Sequence, residues 1–80
     1  MVMPSPRNIL NGLKWREGFD LAKAEIWYVH RGAPNDTKII SGSDIVALER
    51  SFMHTVNAMI PYHRILKIVY DGKIIFERRH

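Results

Sequence analysis

The sequence predicts an α+β domain, with two helices packed on one face of a mainly antiparallel sheet in the order αββαβββ. Three observations predict it. Ser5-Pro6 followed by Ile9, Leu10 and Leu13 combines a helix start with an apolar stripe at helical spacing. Runs rich in β-branched and aromatic residues recur at 24–31, 37–41 and from residue 63 onward. Asp71-Gly72, set between apolar runs, is the sequence of a type I′ hairpin turn.

Taken in order, residues 1–4 are expected to be a flexible tail and 5–80 a single domain. Ser5 caps the first helix, and Pro6 sits at its first position, where the missing N–H costs nothing. Asn11-Gly12 weakens the helix, so it is expected to end near Lys14, with Trp15 plugging against the core. The polar connection 16–23 has two apolar anchors, Phe19 and Leu21. A strand over 24–31 is punctuated by Gly32-Ala33-Pro34-Asn35-Asp36 and pairs with 37–41. Ser43 or Asp44 then caps a second helix bearing Ile45, Leu48 and Phe52 at i, i+3 and i+7. Residues 52–56 can end that helix or form a third strand, and the β-branched Thr55-Val56 favour the strand. The closing hairpin is expected to have strands near 63–70 and 73–79. Trp15, Trp27, Tyr28, Phe52 and Phe76 are expected to supply core.

Eighty residues bury a modest core, and without cysteine no disulfide or thiolate ligand supplements it. The N-terminal stretch contains no continuous apolar segment with a small-residue cleavage site, and no run is long enough to span a bilayer. A cytoplasmic protein with no membrane partner is the expectation. Twelve Lys/Arg against eight Asp/Glu give a formal charge of +4 and a pI near 9.8. From Tyr62 onward there are five Lys/Arg against two Asp/Glu, so the surplus is largely C-terminal. Such a basic segment is an electrostatic hint of a nucleic-acid partner.

Three stretches carry candidate chemistry. In "IPYHRIL" (60–66), Pro61 fixes the chain direction, Tyr62 offers a stacking face, His63 a proton donor or acceptor near neutral pH, and Arg64 a fork for phosphate oxygens. The plainer reading is a half-buried tyrosine before a solvated strand start. In a regular strand His63 and Arg64 would face opposite ways, so both reach one ligand only at a bend or bulge. In "YVHRGAPND" (28–36), His30-Arg31 ends a strand and Gly32 opens a loop that can approach a ligand, although Arg-Gly after a strand is commonly just a turn. The third stretch is Lys73, Arg78, Arg79 and His80. Arg78 is in phase with Ile74 and Phe76 and so is placed over the sheet, whereas Arg79 and His80 read as a frayed, solubilising end. Trp27, facing away from Ile26 and Tyr28, is the candidate for stacking on a base.

The phosphate loop with Lys-Ser/Thr and the nucleophile elbow are both lacking. No histidine pair has metal spacing, and Asp36, Asp44, Asp71 and Glu77 have structural explanations at turns, caps and strand ends. Neither a cofactor nor a metal is expected.

"RNILNGLKW" (7–15), "YVHRGAP-D" (28–36), Ile45, "IPYHRIL-I" (60–68) and "DGKIIFER" (71–78) together resemble a family of small archaeal proteins. Its domain is described as an RNA cyclic-group end recognition domain, and it also occurs fused to RNA-processing domains in larger eukaryotic proteins. The resemblance spans residues 7 to 78, and Ile-Pro-Tyr-His-Arg-Ile is its most specific part. It implies binding or processing of RNA ends bearing a 2′,3′-cyclic phosphate, with His63 and Arg64 at the phosphate and Arg31 nearby. The strand end "IIFER" departs from the family's common tryptophan, with Phe76 in its place.

Three functions therefore stand side by side. One is a non-catalytic module for phosphate-bearing RNA 3′ ends. The second is a small phosphodiesterase or cyclase using His30 and His63 as acid and base. The third is an adaptor that binds proteins through a sheet edge or an aromatic patch.

Overall fold

The serine–proline start is realised as written. In the computed structural model, which describes residues 5–78, Ser5 Oγ accepts from the Asn8 amide at 3.2 Å. It caps α1 (Pro6–Trp15), which buries Pro6, Leu10 and Leu13. Trp15 is no plug: it is 74% exposed, with the Lys14 ammonium 5.0 Å from its ring centre. Two positions beyond Leu13 it lies roughly 200° round the helix, on the face turned from the core.

Seven strands follow: β1 (Ala24–Val29), β2 (Thr37–Ser41), β3 (Ile45–Leu48), β4 (Phe52–Thr55), β5 (Met59–Pro61), β6 (Ile65–Tyr70) and β7 (Lys73–Glu77). They form two antiparallel sheets, one of four strands ordered β2-β1-β6-β7 and one of three ordered β3-β4-β5. The expected α+β fold, two helices on one sheet, is thus overturned: the described residues hold one α-helix and are mostly β.

The error lies at residues 43–52. Gly42–Asp44 is a single 3-10 turn, and Ile45 begins a strand instead of a helix. Ile45, Leu48 and Phe52 mimic a helical stripe, but a bulge between Ile45 and Ala47 and a corner at Arg50-Ser51 give them that spacing. The corner is closed by the Glu49 amide donating to the Phe52 carbonyl at 2.9 Å. Residues 52–55 are strand, in keeping with Thr55, and β5 was not anticipated at all.

The closing hairpin matches its sequence signal. Asp71 (φ 51°) and Gly72 (φ 81°) both occupy the left-handed region that a type I′ turn requires. Its strands are shorter than expected, and Arg79 and His80 lie outside the described residues, as does the tail 1–4. A register shift opposite Ile68/Val69 leaves Ile75 unpaired.

Leu10, Ile26, Met53, Ile65 and Ile68 are fully buried, so the helix and both sheets meet in one core. Tyr28 and Phe76 join it, whereas Trp27 and Phe52, also expected in the core, are only half-buried, and Phe19 is half exposed against Tyr70.

Candidate nucleic-acid interface

β1 and β6 are antiparallel neighbours, with Tyr28 opposite Ile65. The residues that follow β1 and those that precede β6 therefore emerge at the same end of the sheet. That places "HRG" and "YHR" together, although far apart in sequence.

On the β1 side, the His30 amide donates to the Asp36 carbonyl at 2.8 Å and closes the loop 31–35. Asp36 Oδ1 accepts from the Gly32 amide at 3.3 Å, and Gly32 adopts φ 93°, a conformation glycine takes without strain. His30 and Arg31 are left exposed on this loop, with His30 in edge contact with Tyr28 at 6.2 Å between ring centres.

On the β6 side, Pro61 is the last residue of the edge strand β5, where a proline removes no ladder bond. Tyr62–Arg64 then form a one-turn 3-10 helix, closed by the Ile65 amide donating to the Tyr62 carbonyl. Tyr62 points inward. It is 8% exposed, and its hydroxyl donates to the Glu49 carbonyl at 2.6 Å, so the stacking face anticipated for it is used in the core. Burial pushes its pKa above the usual tyrosine value; the Arg7 guanidinium works against that shift and Glu49 with it. Tyr28 is raised by burial as well.

Arg78 completes the corner. Its Nε donates to the Ile65 carbonyl at 3.0 Å and its guanidinium also reaches the Tyr62 carbonyl at 3.3 Å. Its amide donates to the Leu66 carbonyl at 2.8 Å. Arg78 thus holds both ends of the turn and packs over Phe76, its charge spent on backbone oxygens.

With the turn held from outside, His63 and Arg64 are exposed. Val29, His30, Arg31, His63 and Arg64 line one groove of about 440 Å³. The alternation that would separate His63 from Arg64 in a strand does not apply, because both lie in the turn. Two imidazoles and two guanidinium forks around one groove can hold an oxyanion and exchange a proton with it.

Lys73 and Trp27 stand apart from this groove. Lys73 pairs with Tyr70 at the far end of β6. Trp27 lies opposite Lys67, whose ammonium covers its ring at 3.9 Å, and its Nε1 is buried without a hydrogen-bond partner. A base stacking there must displace that lysine. Trp27 and Lys67 line a separate cavity of about 420 Å³ that also includes Arg78.

Sequence reasoning missed the anchoring roles of Tyr62 and Arg78 and the position of Lys67 over Trp27. Only the Trp27–Lys67 register carried a signal, and it needed the β1–β6 pairing to be known. Among the described residues no three His, Asp or Glu side chains gather around a possible metal position, and no helix is long and apolar enough to cross a membrane.

Fold and groove define a class: a small two-sheet β domain with one helix and a cationic groove at the end of its larger sheet. Residues 3–78 match the family described as the MJ1316 RNA cyclic group end recognition domain, and the chain belongs to that family. Its relatives include a UPF0248 protein of Methanococcus maripaludis, 39% identical over 75 residues, covering 91% of this chain and 97% of the relative. A UPF0248 protein of Thermococcus onnurineus is 37% identical, covering 94% and 86%. One of Archaeoglobus fulgidus is 31% identical, covering 86% and 99%. No solved structure matches the chain significantly.

Proposed function

We propose that this protein binds phosphate-bearing RNA 3′ ends, those closed as a 2′,3′-cyclic phosphate above all, in RNA processing or repair. The observation that carries the reading is the convergence of His30, Arg31, His63 and Arg64 on one groove. Both His–Arg pairs belong to the stretches by which the sequence resembles its family, and the family's description names the cyclic end. The terminal phosphate is assigned to Arg64 and His63, with Arg31 opposite and the basic surface attracting the preceding backbone. Arg78 acts by holding the turn.

The experiment is fluorescence-anisotropy titration of one short RNA ending in 2′,3′-cyclic phosphate, 3′-phosphate or 3′-hydroxyl. Tighter binding of the cyclic end, lost in His63→Ala/Arg64→Ala, supports the reading. Equal, strongly salt-dependent binding of all three overturns it.

A second reading has one observation in its favour: His30 and His63 line the same groove, as a general base and acid acting on one phosphate require. Recovered RNA with an opened ring, and none opened by His30→Ala, would promote the protein to a phosphodiesterase.

A further inference from the structure

The phosphate groove is not closed on its inner side. It adjoins a larger cleft of about 480 Å³, with which it shares Val29, His30 and Arg64. That volume lies within the range of small-ligand sites. One wall comes from the end of β1 and from Lys38 to Ile40 of the edge strand β2. The other is the β4–β5 hairpin, from Thr55 to Pro61.

The loop of the hairpin wall is shaped by local hydrogen bonds. Thr55 Oγ1 accepts from the Asn57 and Ala58 amides at 3.4 and 3.0 Å, and donates to the Ala58 carbonyl at 3.0 Å. The Val56 amide donates to the Asp44 carbonyl at 3.1 Å, tying the loop to the 3-10 turn that precedes β3. The remaining lining is mixed: Ile40, Val56 and Met59 supply apolar surface, while Asp44, Asn57 and Lys38 bring polar groups.

We infer that this cleft seats the base of the nucleotide whose phosphate lies in the His30–Arg64 groove, and that it favours guanine. The inference rests on the end-recognition reading. Walls that mix apolar faces with hydrogen-bonding groups suit a flat heteroaromatic ring with a polar edge, which a bare phosphate or a sugar is not. Asp44 selects among the bases. A carboxylate only accepts, so it favours a base that presents donors. Guanine alone offers two adjacent ones, N1–H and the 2-amino group, and its O6 accepts from a cation such as Lys38. The shared residues put base and phosphate of one nucleotide within one continuous surface.

The test is amide NMR titration of the full chain with guanosine, adenosine and uridine 2′,3′-cyclic monophosphates, and with guanosine itself. Wild type, Asp44→Asn and Met59→Trp are compared, the last filling the cleft from an exposed position. The free spectrum of each variant shows whether it is folded. The expected result is binding of the guanosine cyclic phosphate about tenfold tighter than the uridine one, the size of a hydrogen bond to a charged group. Shifts at 38–40 and 56–60 then accompany those at 30–31 and 63–64. Asp44→Asn abolishes the preference for guanine but keeps the shifts at 63–64, and Met59→Trp loses the shifts at 38–40.

Equal affinities, with shifts confined to 30–31 and 63–64, overturn the base cleft and leave end recognition standing. Guanosine binding as tightly as its cyclic phosphate supports the cleft and sinks end recognition. An unchanged wild-type spectrum sinks both.

Discussion

Two 3-10 corners move the chain between the sheets, Gly42–Asp44 from β2 into β3 and Tyr62–Arg64 from β5 into β6. The first is capped from within: Ser41 Oγ accepts from the Ser43 amide at 3.1 Å and lies 2.9 Å from the Ser43 hydroxyl. Gly42 is buried against Leu21. The second has no side-chain cap and is held by remote residues, through Glu49, Ser51 and Arg78. A corner that satisfies its own backbone commits the side chains that do so, here the hydroxyls of Ser41 and Ser43. One secured from a distance leaves side chains of its own free, and the freed ones here are His63 and Arg64.

Gly42→Ala tests the first corner hardest. A Cβ there would lie 1.9 Å from the Leu21 carbonyl oxygen, which backbone must move to relieve. A loss of about 3 kcal/mol is expected by urea unfolding, at the upper end of ordinary overpacking. A loss under about 0.5 kcal/mol, the scatter of a neutral surface change, would mean the corner is not limited by packing.

Arg78→Met tests the second. Two carbonyls lose a charged donor, so about 2 kcal/mol is expected, together with weakened RNA binding. Unaltered binding would show that the turn keeps its shape without Arg78.

Tyr62→Phe removes the hydroxyl's bond to the Glu49 carbonyl, for about 1 kcal/mol. It also changes the alkaline limb. Because the folded pKa of Tyr62 is raised, the native state holds its proton longer than the unfolded chain. Its contribution is complete below the unfolded value near 10 and lost as pH rises through the folded one. Wild type will therefore lose stability above about pH 10 more steeply than the phenylalanine variant, read from melting temperatures between pH 9 and 11.

The smallest effect on stability belongs to His63→Ala/Arg64→Ala, within about 0.5 kcal/mol, since both side chains are solvent-exposed. If the same variant is destabilised by several times that, the corner's exposed face is structural and the contrast between the two corners collapses.

Elements with local punctuation were legible in the sequence. Ser5-Pro6 placed α1, and "TKIIS" placed β2 with the bounds observed. Asp71-Gly72 placed the last hairpin. The three-stranded sheet was not legible, because its hairpin loops, Arg50-Ser51 and Val56-Asn57, contain neither glycine nor proline. Ile45-Val46 was the available β-branched signal, outweighed by a false helical spacing. The His–Arg stretches could be singled out from residue type, but their meeting depends on β1 pairing with β6, a long-range contact no local pattern encodes. Tyr62 was readable either as a stacking face or as a half-buried residue, and the 3-10 turn directs it into the core.

The unequal shares of the core have a dynamic consequence. The four-stranded sheet contributes Ile26, Ile65 and Ile68 to the fully buried set, and the three-stranded sheet only Met53. The opening free energy of a segment follows the apolar contacts it must give up. Amide hydrogens over 52–60 will therefore exchange with deuterium earlier than those over 24–29 and 65–70. The cleft between the sheets thus has a fast-breathing wall facing a slow one, and whatever enters it will be timed by the hairpin at Val56-Asn57.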